Sequence, residues 1–136
     1  MLDSDSKYLV IEGGKPLSGT IEVSGAKNSA LKQIAASMLL ANGTTVIHNV
    51  PDLSDIQYMI EIIKLLGGEA ELEGDTITIN CKDLSSSYVP LSLASKLRAS
   101  FQCLGALVGR MKEARVALPG GCNIGSRKVD LHIKGL

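Results

Sequence analysis

Two helical apolar stripes, divided by a β-branched run and followed by a two-residue hairpin, restrict this chain to mixed layers of helix and sheet. Leu31, Ile34, Ala35, Met38 and Leu39 recur at i, i+3, i+4, i+7 and i+8, the spacing of one buried helix face. Asn42-Gly43 ends that pattern, and Thr44–Val50 reads as a strand stopped by Pro51. Ser54-Asp55-Ile56-Gln57 has the form of a capping box, the stripe Ile56, Met59, Ile60, Ile63 follows, and Gly67-Gly68 closes the helix. Ala70 and Leu72 then alternate with glutamates, Ile77 and Ile79 with threonines, and Gly74-Asp75 supplies the turn. Upstream, Tyr8–Ile11 and Thr20–Val23 read as short strands.

The order then starts again. Tyr88–Leu91 reads as a strand, and Leu93, Leu97, Phe101, Leu104 and Val108 stripe a third helix. Ala114, Val116 and Leu118 alternate as another strand, and a fourth helix opens near Lys128. The fold class expected is α/β, α+β in a stricter scheme: one full βαβαββ unit plus an incomplete second. The interrupted repeat leads to the expectation of a fragment whose natural chain continues.

Composition removes several functional classes. The chain of 136 residues is 45% hydrophobic and 21% charged, which excludes disorder. Lys+Arg and Asp+Glu both number 14, and aromatics reach only 3% without tryptophan. Neither a basic footprint nor a base-stacking platform is present, so nucleic acid is not an expected partner. No apolar run approaches the ~20 residues of a membrane helix, and residues 1–7 do not resemble a signal peptide. Cys81, Cys103 and Cys122 are odd in number and lack any CxxC, a pattern of reduced cytoplasmic thiols. Two histidines, His48 and His132, do not support a metal site.

Three segments carry candidate chemistry. Ser24-Gly25-Ala26-Lys27-Asn28 joins a strand to a helix start, where free N–H groups and a lysine favour an anion; on these residues alone an ordinary turn with a solvated lysine is the better reading. In Pro119-Gly120-Gly121-Cys122, two glycines allow a mobile loop and Arg127 favours the thiolate; a plain glycine turn is the alternative. Arg127, Asp130 and His132 cluster beyond it and suit phosphate, base or ribose, or simply a helix start. Arg98 flanks the third stripe, where a solvent-exposed charge is the usual reading.

Together, Ser24–Asn28, Leu97-Arg98-Ala99-Ser100, Leu118–Gly125 and Arg127–His132, in this order, resemble the bacterial UDP-N-acetylglucosamine enolpyruvyl transferases. The likeness runs along essentially the whole chain but covers only about the first third of a family member. It implies an inside-out α/β barrel (α-β prism) of βαβαββ units, with residues 1–19 packing on an absent second domain and 20–136 forming an incomplete first domain. It implies transfer of the enolpyruvyl group of phosphoenolpyruvate to the 3-hydroxyl of UDP-N-acetylglucosamine, with release of phosphate, as the first committed step of peptidoglycan synthesis. No metal or organic cofactor is expected.

By the same resemblance Cys122 is the catalytic proton donor and the thiol alkylated by fosfomycin. Lys27 and Asn28 match the pair contacting phosphoenolpyruvate and sugar, and Arg98, Arg127, Val129, Asp130 and Leu131 match positions on phosphate or nucleotide. Lys128 stands where many relatives have proline. The family's catalytic aspartate and further arginines would lie beyond Leu136, so the chain by itself is expected to be inactive. The related 3-phosphoshikimate transferase is the nearest competitor, and the cysteine loop and the Arg127–His132 segment argue against it. A non-catalytic binding fragment is the competitor from another class.

Overall fold

The computed structural model describes residues 10–118 and 128–136. Its first half is α1 (Lys27–Ser37), β1 (Thr44–Ile47), α2 (Ser54–Leu65), β2 (Glu69–Glu73) and β3 (Thr76–Asn80). The three strands form an antiparallel sheet in the order β1-β3-β2, with Glu73 opposite Thr76 across the expected Gly74-Asp75 turn. Gly74 takes a φ of 60° there, open to glycine without steric cost.

Strand alternation sorts the sheet into two faces. Ile47, Ile77, Ile79, Ala70 and the half-buried Leu72 face the helices, whereas Val46, Thr78 and Glu71 lie outward. Against the inner face pack Ile34 and Met38 of α1 and its end, and Ile56, Met59, Ile60 and Ile63 of α2, all buried. Each such side chain contributes about 1.5–3 kcal/mol. Ile62, outside the four-residue stripe, is also fully buried, because α2 touches α1 on one side and β2 on another. Leu39, inside its stripe, is 54% exposed: α1 ends at Ser37, so the helical spacing no longer governs its direction.

The end of α2 follows its sequence signal closely. Gly67 donates to Lys64 O at 3.1 Å and Gly68 to Ile63 O at 2.9 Å, the paired bonds of a Schellman cap. The start of α2 does not. Leu53 is the N-cap, no side chain caps it, and Gln57 Nε2 donates to Asp52 Oδ1 at 2.9 Å. The expected capping box is therefore not formed.

The second half holds β4 (Tyr88–Val89), α3 (Leu91–Ala94), a 3₁₀ turn (Arg98–Gln102), α4 (Cys103–Met111), β5 (Arg115–Val116) and α5 (Asp130–Gly135). β4 and β5 pair in parallel. The single third helix expected from Leu93 to Val108 is broken at Leu97, whose φ of −139° and ψ of 113° are extended. Leu97 and Phe101 still reach the core, so a four-residue spacing is satisfied without a continuous helix. In α4 the fully buried residues are Cys103 and Leu107, with Leu104 and Val108 only half-buried. Leu91 opens α3 instead of closing β4, and Leu118 is 71% exposed beyond β5.

The expected strand at Thr20–Val23 is absent. Ile21 and Val23 are 87% and 84% exposed, and no described backbone pairs with them. Val10 and Ile11 form no strand either, while Tyr8 and Leu9 lie outside the described residues. The first unit is thus α-β-α-β-β among the described residues, because β propensity without a partner ladder does not make a strand.

Candidate functional site

Helix starts gather at one end of the fold. Lys27 opens α1, Asp55 is the second residue of α2, Arg98 opens the 3₁₀ turn, and Val129 precedes α5. These segments line a cleft of about 820 Å³, with Leu31, Leu97, Phe101 and Leu104 as its apolar wall. Of the residues expected from sequence, Lys27, Asn28, Arg98, Val129 and Leu131 are on the lining together. Asp130 is exposed and is not on the lining. Cys122 and Arg127 lie outside the described residues.

The start of α1 is suited to an anion. Ala26 is its N-cap in an extended conformation, with no side-chain cap, so the first N–H groups keep their donor capacity and the helix dipole adds positive potential. Gly25 is what allows this approach. A Cβ there would overlap Asn49 O and come within 2.8 Å of Asn49 C. Asn49 itself takes a left-handed φ of 58° just after β1. The glycine therefore seats the turn before Lys27 directly on the turn that leads from β1 toward α2.

Lys27 Nζ meets Asp55 Oδ2 at 2.7 Å. Lys32, Lys96 and Arg98 add positive charge to the lining, against Asp55 as its carboxylate. Lys96 Nζ lies 5.0 Å from the Tyr58 ring centroid, a cation–π distance, and Tyr58 stands one helical turn after Asp55 on α2. His132 meets Phe101 edge-on, with ring centroids 6.0 Å apart, and both border the cleft. The lining combines cationic and apolar side chains, which matches a ligand with anionic groups and a less polar body.

Asp55, Lys32 and Lys96 were not singled out as site residues by sequence. Asp55 carried a capping signal instead, and the two lysines have the polar spacing of any solvated helix or loop face. The signal for Asp55 is positional: like Lys27, it falls in the first turn of a helix. His48, read as a strand-end residue, pairs through Nδ1 with Thr76 Oγ1 at 3.1 Å and is not on the cleft lining. Among the described residues, no group of three His, Cys, Asp or Glu is placed to hold a metal.

The two described cysteines are buried. Cys103 Sγ approaches Met59 Sδ at 3.7 Å, and burial pushes its thiol up to about 12. Burial also raises Cys81, opposed by a hydrogen bond with Ser37 and by the Arg110 charge. Neither thiol borders the cleft.

A family profile described as EPSP synthase (3-phosphoshikimate 1-carboxyvinyltransferase) matches residues 11–136. The chain belongs to this family. Within the EPSP synthase family, it is 49% identical over 128 residues to a protein of Chloroherpeton thalassium named UDP-N-acetylglucosamine 1-carboxyvinyltransferase, covering 94% of this chain and 30% of that protein. A protein of Nostoc with the same name is 47% identical over 136 residues, covering 100% of this chain and 30% of the relative. One from Caldanaerobacter subterraneus, named UDP-N-acetylglucosamine 1-carboxyvinyltransferase 3, is 51% identical over 126 residues, 93% of this chain and 30% of its own. The chain thus spans about 30% of the length of these curated relatives. The crystal structure of the enolpyruvyl transferase NikO from Streptomyces tendae superposes with a TM-score of 0.63 at 30% identity, over 71% of this chain and 22% of that one. The α/β class expected from sequence agrees with this enolpyruvyl transferase neighbour.

Proposed function

We propose that this chain is part of a UDP-N-acetylglucosamine 1-carboxyvinyltransferase, which moves the enolpyruvyl group of phosphoenolpyruvate to the sugar 3-hydroxyl and releases phosphate. The observation that carries the reading is the meeting of Lys27, Asn28, Arg98, Val129 and Leu131 on one cationic cleft. The names of relatives at 47–51% identity support the sugar nucleotide over shikimate 3-phosphate as acceptor.

Residues 20–136 belong to the first transferase domain in this reading, an inside-out barrel completed by further chain, and residues 1–19 pack on a second domain. Lys27 and Asn28 hold phosphoenolpyruvate and the sugar. Arg98, Arg127, Val129, Asp130 and Leu131 contact phosphate and nucleotide. Cys122 gives a proton to the methylene carbon, the sugar 3-hydroxyl bonds through oxygen to the adjacent carbon and loses its own proton to a base, and loss of a methyl proton with phosphate restores the vinyl group. A thiol suits the first step as general acid, and fixed cations suit the departing phosphate. The enzyme acts in the cytoplasm, serves wall growth and division, and is alkylated by fosfomycin. No described helix is long and apolar enough to cross a membrane.

Phosphate release tests the proposal. A full-length protein carrying residues 1–136 is expected to release phosphate from phosphoenolpyruvate with UDP-N-acetylglucosamine, and not with shikimate 3-phosphate. The 136-residue chain by itself is expected to give no multiple turnover. Turnover with shikimate 3-phosphate alone would overturn the assignment of the acceptor.

A further inference from the structure

We propose that Asp55 is a positioning residue that holds the Lys27 ammonium at the mouth of the cleft. The inference rests on the anion-binding reading of Lys27 given above and adds the element that aims it. Lys27 lies on α1 and Asp55 on α2, so their 2.7 Å contact joins two helix starts, not neighbours along one helix. A lysine ammonium is a mobile point charge on four rotatable carbons. One carboxylate contact uses one of its three N–H donors and leaves two for an incoming anion.

The surroundings favour this role over a merely stabilising pair. Both groups border the cleft, and their side chains are 41% and 28% exposed, so the pair itself adds little to stability. Asp55 also sits in the first turn of α2, where the helix dipole favours an acidic side chain. Removing its charge has two opposed effects on an anion. Attraction to Lys27 increases because its partner is gone, while the ammonium loses its fixed direction. A positioning role requires the second to dominate at the stage where the departing phosphate needs a fixed cation.

The test compares Asp55→Asn, Asp55→Ala and Asp55→Glu with the exposed α2 control Glu61→Gln, in a full-length protein carrying this sequence. Steady-state rates of phosphate release are read against phosphoenolpyruvate and UDP-N-acetylglucosamine. The expected result is a fall in kcat of about tenfold or more for Asn and Ala, with KM for UDP-N-acetylglucosamine within about twofold, recovery in Glu, and no change in the control. An unchanged kcat, or a gain in phosphoenolpyruvate affinity with kcat intact, overturns the proposal and makes Asp55 a charge mask. Nitrogen-detected NMR of the Lys27 ammonium in the 136-residue chain gives a readout independent of turnover. A slow-exchanging Lys27 signal that is lost in Asp55→Asn supports positioning, and a signal equally averaged in both proteins overturns it. If the wild type releases no phosphate, the proposed function fails, and the NMR comparison alone decides the pairing.

Discussion

Gly25 lies so close to Asn49 that a Cβ would occupy the space of the Asn49 carbonyl oxygen. This contact ties the start of α1 to the end of the β1 connection, and so ties Lys27 to the sheet. Gly25→Ala is expected to destabilise the fold by about 1–3 kcal/mol, because backbone on both sides must shift. Urea denaturation of the two proteins checks this, and an unchanged midpoint would show that the turn relaxes freely.

Lys27→Ala should behave in the opposite way. Its ion pair is partly exposed, so the loss of stability is expected to stay within about 0–1 kcal/mol. Phosphate release in the full-length protein should nevertheless fall by about a hundredfold or more, as one electrostatic contact to developing charge is removed. Denaturation midpoint and initial rate, measured on the same preparation, separate the two effects.

Ile62 was not in the apolar stripe read from α2, yet it is fully buried between neighbouring elements. Ile62→Ala should cost about 2–5 kcal/mol, comparable with Ile63→Ala. Thermal or chemical unfolding decides the matter. A loss below 1 kcal/mol for Ile62 would mean that this side of α2 is loosely packed.

Thiol chemistry supplies a pH-dependent outcome. Cys103 is pushed from 9.0 up to about 12 by burial, so the native state keeps its proton where the unfolded chain loses it. The unfolded state then binds fewer protons between pH 9 and about 12, and stability falls as pH rises through that window, with no contribution below it. Cys103→Ala should flatten the alkaline decline. Unfolding midpoints at pH 8 and pH 10 for both proteins give the comparison.

The same burial predicts an order of alkylation at neutral pH. Cys103 and Cys81, buried and with raised thiol pKa values, should react slowly with maleimide or an epoxide, and Cys122 first. Peptide mass mapping after brief treatment reads the order directly. An adduct first on Cys81 or Cys103 would remove the reactive-loop reading of Cys122.

Local rules made much of this chain legible from its residues. The Gly74-Asp75 hairpin, the Gly67-Gly68 cap and the inward isoleucines of α2 and β3 depend on neighbours within a few positions, and all appear in the structure. The family resemblance, not a local rule, pointed to Lys27, Asn28, Arg98, Val129 and Leu131, and these five line one cleft. Tertiary structure decided the rest. Thr20–Val23 has strand propensity, but a strand exists only where another backbone completes its hydrogen bonds, and none of the described segments does. The third stripe has helical spacing, but the core accepts Leu97 and Phe101 from an extended residue and a 3₁₀ turn as readily as from one helix. Asp55 has a capping position in sequence, yet its partner is Lys27, 28 positions away, because packing α2 on α1 brings their first turns to the same end. Periodicity states which face of an element is buried. Which elements meet, and which charges they bring together, depends on contacts between distant positions that no local pattern encodes.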